Sequence, residues 1–222
     1  MLNRIIFYIA LASVSLSLIR TVYDRLHNPS RLPSMPIATS SNQPAKDTAS
    51  TPEKKSIAGM MDAMQQGMEA KQSGDVKKAE EKFHEGFQIA KELHDKQMVQ
   101  GFIVLLSSLY IQTGAYDMAQ AFLEVTKDKG DLDMLTYHSQ RVYLFENQEK
   151  NKEMCTELGA LEKLLSGLSC DTYQNEIKIL LEGKDKARMM QIMQGSNATQ
   201  IQDCIGKFAV KDKLEKSECT QQ

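Results

Sequence analysis

The sequence predicts an all-α protein built as a stack of helical hairpins. Three observations lead to this fold class. Apolar residues recur at helical spacing from Ile57 onward, and all five prolines lie before residue 53, so no proline interrupts the body. Two glycine-containing turns, at Gly74 and Gly114, are 114 − 74 = 40 residues apart. A fixed period of this size is typical of stacked repeats, in which each unit buries the apolar face of the next.

Charge and proline content divide the chain into parts. The whole chain has 27 Lys+Arg and 29 Asp+Glu, which argues against a general nucleic-acid binder because such a protein needs a basic excess. Residues 1–58 have 7 − 3 = +4 charges and the remainder 20 − 26 = −6. The predicted parts are a membrane anchor or signal segment (1–27), a flexible linker (28–56), helical repeats (57–168) and a C-terminal helical cap with a charged tail (169–222).

The N-terminal segment is apolar over Ile5–Ile19, between Arg4 and Arg20. Residues 5–23 come close to the length of about 20 residues that a membrane-spanning helix needs. A retained anchor, a cleavable signal peptide and an organellar transit sequence all fit this pattern. We favour the anchor, because cleavage after Ser17 would use no clear A-x-A site.

The arginines around this segment predict its orientation. Arg20, Arg25 and Arg31 follow the apolar stretch, whereas only Arg4 and the amino group precede it. The positive-inside rule then places the body on the cytosolic side. The predicted location is a mitochondrial membrane or a bacterial inner membrane, with the secretory pathway or export as the alternative. The linker, rich in Pro, Ser, Thr and Lys, is expected to act as a disordered tether without a packed core.

Apolar residues that recur at helical spacing predict two helical hairpins. In the first, Ser73-Gly74-Asp75 separates the helices, with Gly74 suited to a left-handed helix end and Asp75 to capping the second helix. In the second, the corresponding turn is Thr113-Gly114-Ala115. A third copy fits more loosely, with a turn at Asn147-Gln148-Glu149.

These residues resemble the tetratricopeptide repeat (TPR) family, in its longer-helix variety. The matching positions are Gly67, Gly74, Asp75, Val76, Ala79 and Phe83 in the first copy and Tyr110, Gly114, Tyr116 and Ala119 in the second. The sequence departs from the family at the helix-A tryptophan position, which is Ala63, and at a late helix-B alanine position, which is Gly86 or Thr126. The resemblance implies an α-solenoid and leaves the activity open.

After residue 168 the repeat pattern ends. Tyr173, Ile177 and Leu180 predict a further helix that runs to Met193 through a weak point at Gly183, and Gly195-Ser196-Asn197 is expected to end it. A last amphipathic helix through Cys204 and Phe208 would then cover the end of the stack, as terminal caps do. The charged tail from Lys211 is expected to fray.

The four cysteines are Cys155, Cys170, Cys204 and Cys219. Two C-x14-C spacings (170 − 155 = 15 and 219 − 204 = 15) would suit two hairpin disulfides in an oxidising compartment. The favoured prediction is that the cysteines are free thiols and that Cys204 is a small apolar residue of the core. The triplet Asn197-Ala198-Thr199 is an N-glycosylation acceptor sequence, informative only if the body is lumenal.

No known catalytic pattern is present in the sequence. Phosphate-binding loops, dinucleotide fingerprints and nucleophile elbows are absent. His84-Glu85 begins like a zinc-protease motif, but Gln88 stands where the second histidine is needed. We therefore expect no enzyme activity, cofactor, metal site or small-molecule substrate.

The family resemblance implies a partner-binding groove lined by the first helix of each hairpin. The groove residues it implies are Met61, Met64, Met68 and Lys71, then Gly101, Val104, Ser108 and Ile111, then Met134, Tyr137, Arg141 and Leu144. Methionine is flexible and polarizable, so such a surface adapts to varied apolar partners. The alternative is that the methionines are simply buried by the linker or by a neighbouring helix.

The leading functional prediction is a membrane-tethered adaptor or scaffold that binds another protein in this groove. One alternative is a structural or assembly subunit of a large membrane complex. A second is an exported or lumenal chaperone-like protein with a cleaved signal and disulfides.

Overall fold

The protein is described by a computed structural model that covers residues 56–182, 186–217 and 219. Within these residues the chain is all-helical and contains no β-strand. The predicted all-α class is therefore confirmed. The predicted anchor (1–27) and nearly all of the linker (28–56) lie outside the described residues.

The described residues contain nine α-helices. They are α1 (Ile57–Gln72), α2 (Val76–Glu92), α3 (Lys96–Gln112), α4 (Tyr116–Asp128), α5 (Met134–Asn147), α6 (Asn151–Leu165), α7 (Gln174–Glu182), α8 (Lys186–Gln194) and α9 (Ala198–Lys216). A short 3₁₀ helix, Asp171–Tyr173, precedes α7. None of the helices in this part of the chain is both long enough and apolar enough to cross a membrane.

One type of turn joins the first six helices. After α1, Gly74 has φ = 82°, the Gly74 N–H donates to Lys71 O (3.2 Å), and the Asp75 N–H donates to Ala70 O (2.9 Å). This pair of bonds is the Schellman motif, which satisfies carbonyls that the helix end leaves free. The same motif follows the next four helices, with left-handed residues His94, Gly114, Gly130 and Glu149.

Aspartates begin several of these helices. The Asp75 side chain accepts the Lys78 N–H (3.1 Å), which confirms its predicted role as the cap of α2. Asp95 accepts from Met98 N (3.1 Å) and Asp133 from Thr136 N (2.8 Å). The turn therefore ends one helix and the aspartate that follows it starts the next.

The described chain forms two compact units, and the boundary falls within α3, between Met98 and Val99. In the first unit, α1 packs against α2. The side of α1 that is buried carries Met60, Ala63, Gly67 and Ala70. Gly67 allows a close approach, since it lies directly against the ring of Phe83, which is fully buried on α2. This contact joins two of the positions that carry the TPR resemblance.

In the second unit, α4 packs on α5, α5 on α6, and α9 on α6. The Nζ of Lys207, midway along α9, donates to Leu168 O just beyond the end of α6 (2.7 Å). Cys219, beyond the end of α9, is bonded to Cys155 near the start of α6. These two contacts show that α9 runs antiparallel to α6.

All four cysteines form disulfides, Cys155–Cys219 and Cys170–Cys204, with Cα–Cα distances of 5.4 and 5.6 Å. The favoured prediction of free thiols is therefore wrong. The conceivable pairing within each C-x14-C segment is also wrong, because the antiparallel return of α9 brings together cysteines that are distant in sequence. Connectivity of this kind cannot be deduced from spacing.

The last helix is longer than the sequence predicts, since the charged tail was expected to fray from Lys211. α9 extends to Lys216, beyond the expected fraying point at Lys211. Lys213 explains this, because its Nζ lies 2.7 Å from Glu146 Oε2 on α5, and the disulfide of Cys219 holds the chain just beyond. Gly195-Ser196-Asn197 separates α8 from α9, as predicted.

Replacing Gly67 with alanine should destabilise the first unit. A Cβ at this position would lie 2.5 Å from Phe83 Cε1, so the fully buried ring would have to shift. We expect Gly67→Ala to lower the free energy of unfolding by about 1–3 kcal/mol in denaturant titration. Gly159→Ala is the control, since nothing lies within 4 Å of its Cβ position on α6. That variant should gain about 0.5–1 kcal/mol, and equal effects of the two changes would contradict the close contact.

Peptide mapping of the oxidised protein should recover two disulfide-linked pairs, Cys155 with Cys219 and Cys170 with Cys204. Cys170→Ala combined with Cys204→Ala opens a loop of 34 residues, and this should cost roughly 4 kcal/mol of stability by the loop-entropy relation. A linked peptide that joins Cys155 to Cys170 would refute the observed topology.

Candidate protein-binding face

The predicted groove residues of α1 lie beside its buried side. Met61, Met64, Met68 and Lys71 each follow one of the buried residues of this helix. One residue corresponds to a rotation of about 100° around a helix, so the four share one face next to the core. The Met60 side chain is 0% exposed, whereas Met68 is 38% exposed, and Met61, Met64 and Lys71 are partly exposed. We call these four residues the methionine face.

Lys71, the basic residue at the end of the methionine face, is partly buried, and this disfavours its charged form. Burial lowers the pKa of the Lys71 amino group, because a charged ammonium loses hydration when it leaves water. An acidic group brought close to Lys71 would therefore restore a favourable environment for its charge.

The predicted groove residues on α3 belong to the second unit, and most of them are packed. Ile111 is 1% exposed and Val104 is 7% exposed. Ser108 is partly exposed, and its hydroxyl lies 3.5 Å from Gln140 Oε1 on α5, which also accepts from Ser107 (2.9 Å). A partner could therefore contact Ser108 directly, whereas it could reach Ile111 only after neighbouring side chains moved.

The predicted groove residues on α5 do not share the register of the other two helices. The left-handed turn residue follows the first groove residue by 74 − 61 = 13 positions in the first hairpin and 114 − 101 = 13 in the second. In the third hairpin the difference is 149 − 134 = 15. The selected set therefore starts two residues too early, which turns Tyr137 and Arg141 toward the contacts among α4, α5 and α6.

Arg141 is the centre of a charge cluster in this contact. Its Nε donates to Glu157 Oε1 on α6 (2.7 Å), and its Nη1 donates to Glu124 Oε1 on α4. Glu157 is 7% exposed, and its other oxygen lies 2.6 Å from Nδ1 of His138. A buried carboxylate with two such partners is well compensated.

Glu124 forms the more exposed end of this cluster. The Tyr137 hydroxyl donates to its Oε1 (2.6 Å), and Lys127 Nζ lies 2.8 Å from its Oε2. The Lys127 amino group also lies 4.8 Å from the centre of the Tyr137 ring, and the Arg141 guanidinium lies 5.4 Å from the same ring. The cations therefore gain contacts with both the carboxylate and the aromatic face.

The pKa values of Glu124 and Tyr137 are both shifted by the cluster. Burial alone would raise the pKa of Glu124, but hydrogen bonds from Lys127 and Tyr137 and the charge of Arg141 together lower it. Burial, together with the hydrogen bond to Glu124, raises the pKa of Tyr137 to about 12. The phenol thus keeps its proton and Glu124 its negative charge at neutral pH, and the cluster ties three helices together.

Sequence reasoning missed the charge cluster because its partners lie on different helices. Arg141 and Glu157 are 16 residues apart, and Arg141 and Glu124 are 17 apart. One signal was available: Arg141 precedes its turn residue by 149 − 141 = 8 positions, as Leu106 does by 114 − 106 = 8, and Leu106 is fully buried. An arginine at a core position requires an acidic partner.

The predictions about metal sites, family and enzyme activity can be compared with the structure and with known proteins. Among residues 56–182, 186–217 and 219, no group of three or more His, Cys, Asp or Glu side chains is placed to hold a metal ion. Comparisons with protein-family models, with curated proteins and with solved structures found no match to this chain. The TPR resemblance and the predicted lack of enzyme activity therefore stay predictions.

Removing Arg141 should strongly destabilise the second unit. Arg141→Leu deprives the buried Glu157 carboxylate of its arginine partner, and we expect a loss of about 3 kcal/mol in the free energy of unfolding. Lys82→Ala is the control, because Lys82 pairs with Glu85 within the same helix at 2.7 Å and should change stability by no more than about 0.5 kcal/mol. Denaturant titration at neutral pH measures both, and similar losses would contradict a structural role for the cluster.

Proposed function

We propose that this protein is a membrane-tethered adaptor that binds another protein through its helical body. The apolar segment at residues 5–23 is the tether, and the methionine face of α1 is the binding surface. The observation that carries the proposal is the exposure of this face. Met68 is 38% exposed and Met61 and Met64 are partly exposed, although long apolar side chains usually become buried.

The chemistry of the methionine face defines the partner. Three methionines offer an unbranched and polarizable surface, which adapts to the shape of an apolar ligand. An amphipathic helix fits such a surface, because its apolar residues recur with the spacing of the methionines. Lys71 adds polarity at one end, so the partner should carry an acidic residue next to its apolar stripe. The bound carboxylate would offset the burial of the Lys71 ammonium.

The repeated turns support a TPR-type body for this adaptor. Six successive helices are joined by one turn motif, and Gly67 and Phe83 make the close contact between two positions of the family pattern. Such a body presents the first helix of each hairpin to a ligand. On this proposal the chain is an interaction protein without catalytic activity.

A second candidate is an exported or lumenal chaperone-like protein of the same fold. The observation that favours it is the pair of disulfides, since such bonds persist in oxidising compartments. A structural subunit of a membrane complex is the remaining candidate. Size-exclusion chromatography in mild detergent separates it from the adaptor, because an obligate subunit elutes with its complex.

Charge placed on the methionine face should abolish partner binding. We expect Met64→Glu combined with Met68→Glu to reduce recovery of cross-linked partners from solubilised source membranes roughly 10- to 100-fold, which corresponds to about 1.4–2.7 kcal/mol. Quantitative mass spectrometry measures the recovery against the wild-type chain.

The control for this experiment is Met118→Glu, since Met118 is 52% exposed on α4 and lies outside the methionine face. It should leave recovery unchanged. Circular dichroism should show that all variants keep their helix content. Equal recovery with the wild type and the double variant would rule out the methionine face as the binding surface.

A further inference from the structure

We propose that the helical body folds on the oxidising, lumenal side of a secretory-pathway membrane and that Asn197 is N-glycosylated there. The inference concerns compartment and modification. It does not depend on whether the methionine face binds a partner.

The acceptor sequence lies at the surface in an accessible turn. Asn197 closes the turn 195–197 between α8 and α9, and its side chain is exposed. Thr199, the required hydroxyl residue, is also exposed, whereas Ala198 between them is 4% exposed and fixes the turn to the body. Glycans occupy surface positions of this kind because they are bulky and hydrated.

The Asn197 side chain has no structural task that a glycan would disturb. Asn197 stands at the N-cap of α9 but makes no side-chain capping bond. Its Oδ1 accepts a long hydrogen bond of 3.4 Å from the neighbouring Ser196 hydroxyl, at the surface. Asparagine is favoured at this position because its side-chain oxygen can cap the helix. Asn197 makes no such bond, so its side-chain amide is available for modification.

Asn197 is the single acceptor of the chain. Every other asparagine lacks a serine or threonine two residues later, apart from Asn28, whose next residue is Pro29. Proline in the middle position prevents recognition. One glycan is therefore the expected number.

The disulfides point to the same compartment. Cys170 and Cys204 are both buried, and they lie within an apolar cluster together with Ile177, Leu180 and Ile201. This cluster joins α7 and α9, and Met189, Ile192 and Met193 of α8 pack against it. The disulfide therefore lies in the core that holds the two helices on either side of Asn197. Disulfides that hold a core together are rare where glutathione keeps thiols reduced.

The arginines beside the apolar segment favour the opposite orientation, with the body in the cytosol. We give more weight to the disulfides. The charge bias rests on two additional arginines, whereas the two disulfides use all four cysteines and tie α9 and the residue beyond it to α6 and the segment after it. Long domains also cross membranes largely regardless of flanking charge.

The modification is a group transfer from a lipid-linked oligosaccharide. The side-chain amide nitrogen of Asn197 forms a bond to the anomeric carbon of the sugar, and the bond from that carbon to the pyrophosphate oxygen breaks. The lipid pyrophosphate leaves with the bonding electron pair, and the amide nitrogen gives one proton to a base. The transferase of the secretory membrane provides the catalyst and the donor.

Cell-free translation of the full chain with endoplasmic-reticulum microsomes tests the proposal. We expect the membrane fraction to contain a species heavier by one glycan, which peptide N-glycosidase removes with conversion of the asparagine to aspartate. The body should resist added protease and migrate as an oxidised species on non-reducing gels.

Three variants isolate the acceptor. Asn197→Gln and Thr199→Ala should each abolish the mass increase, while Thr199→Ser should keep it. All three should stay protease-protected and oxidised, since both residues are exposed. A wild-type body that is digested by protease, a protected body without a glycan, or a glycan that persists in Asn197→Gln would overturn the proposal.

Discussion

The reversal of the chain after each of the first five helices is the constraint on which the rest of the fold depends. Each reversal needs one residue in the left-handed conformation, so that two backbone N–H groups can satisfy the last helical carbonyls. Glycine adopts this conformation at no cost, whereas His94 and Glu149 adopt it at roughly 1–2 kcal/mol each. The packing of the helices, together with caps such as Asp95, must compensate for that cost.

These turns also set which side chains face the core. Because a helical residue's direction is fixed by its distance from the turn, moving the turn by two residues changes the buried face of the whole helix. This is why Arg141, taken as a groove residue, lies instead between Glu124 and Glu157. A half-buried arginine is tolerated there because two carboxylates and two aromatic rings surround it.

A different constraint holds the C-terminal part. Beyond α6 the left-handed turns do not recur among the described residues, and covalent bonds join α9 and the residue beyond it to α6 and the segment after it. Small apolar clusters contribute little stability by themselves, and the cluster around Cys170 and Cys204 is one of these. The two disulfides add the stability that this small cluster lacks. The fold of the C-terminal part therefore depends on oxidising surroundings, in which such bonds persist.

Local signals in the amino-acid sequence correctly predicted the all-helical class, the turns at Gly74 and Gly114, the cap at Asp75 and the helix break at Gly195. Each of these features depends on only a few neighbouring residues. The cysteine pairing and the partners of Arg141 were beyond such signals, because each requires a contact between residues that lie 16 to 64 positions apart. The turn at Asn147-Gln148-Glu149 was predicted, but its left-handed residue was not, since a glutamate in that conformation carries no sequence signature, and the register of α5 was therefore misplaced. Folding brings these residues together through the antiparallel packing of whole helices, and no local pattern encodes that packing.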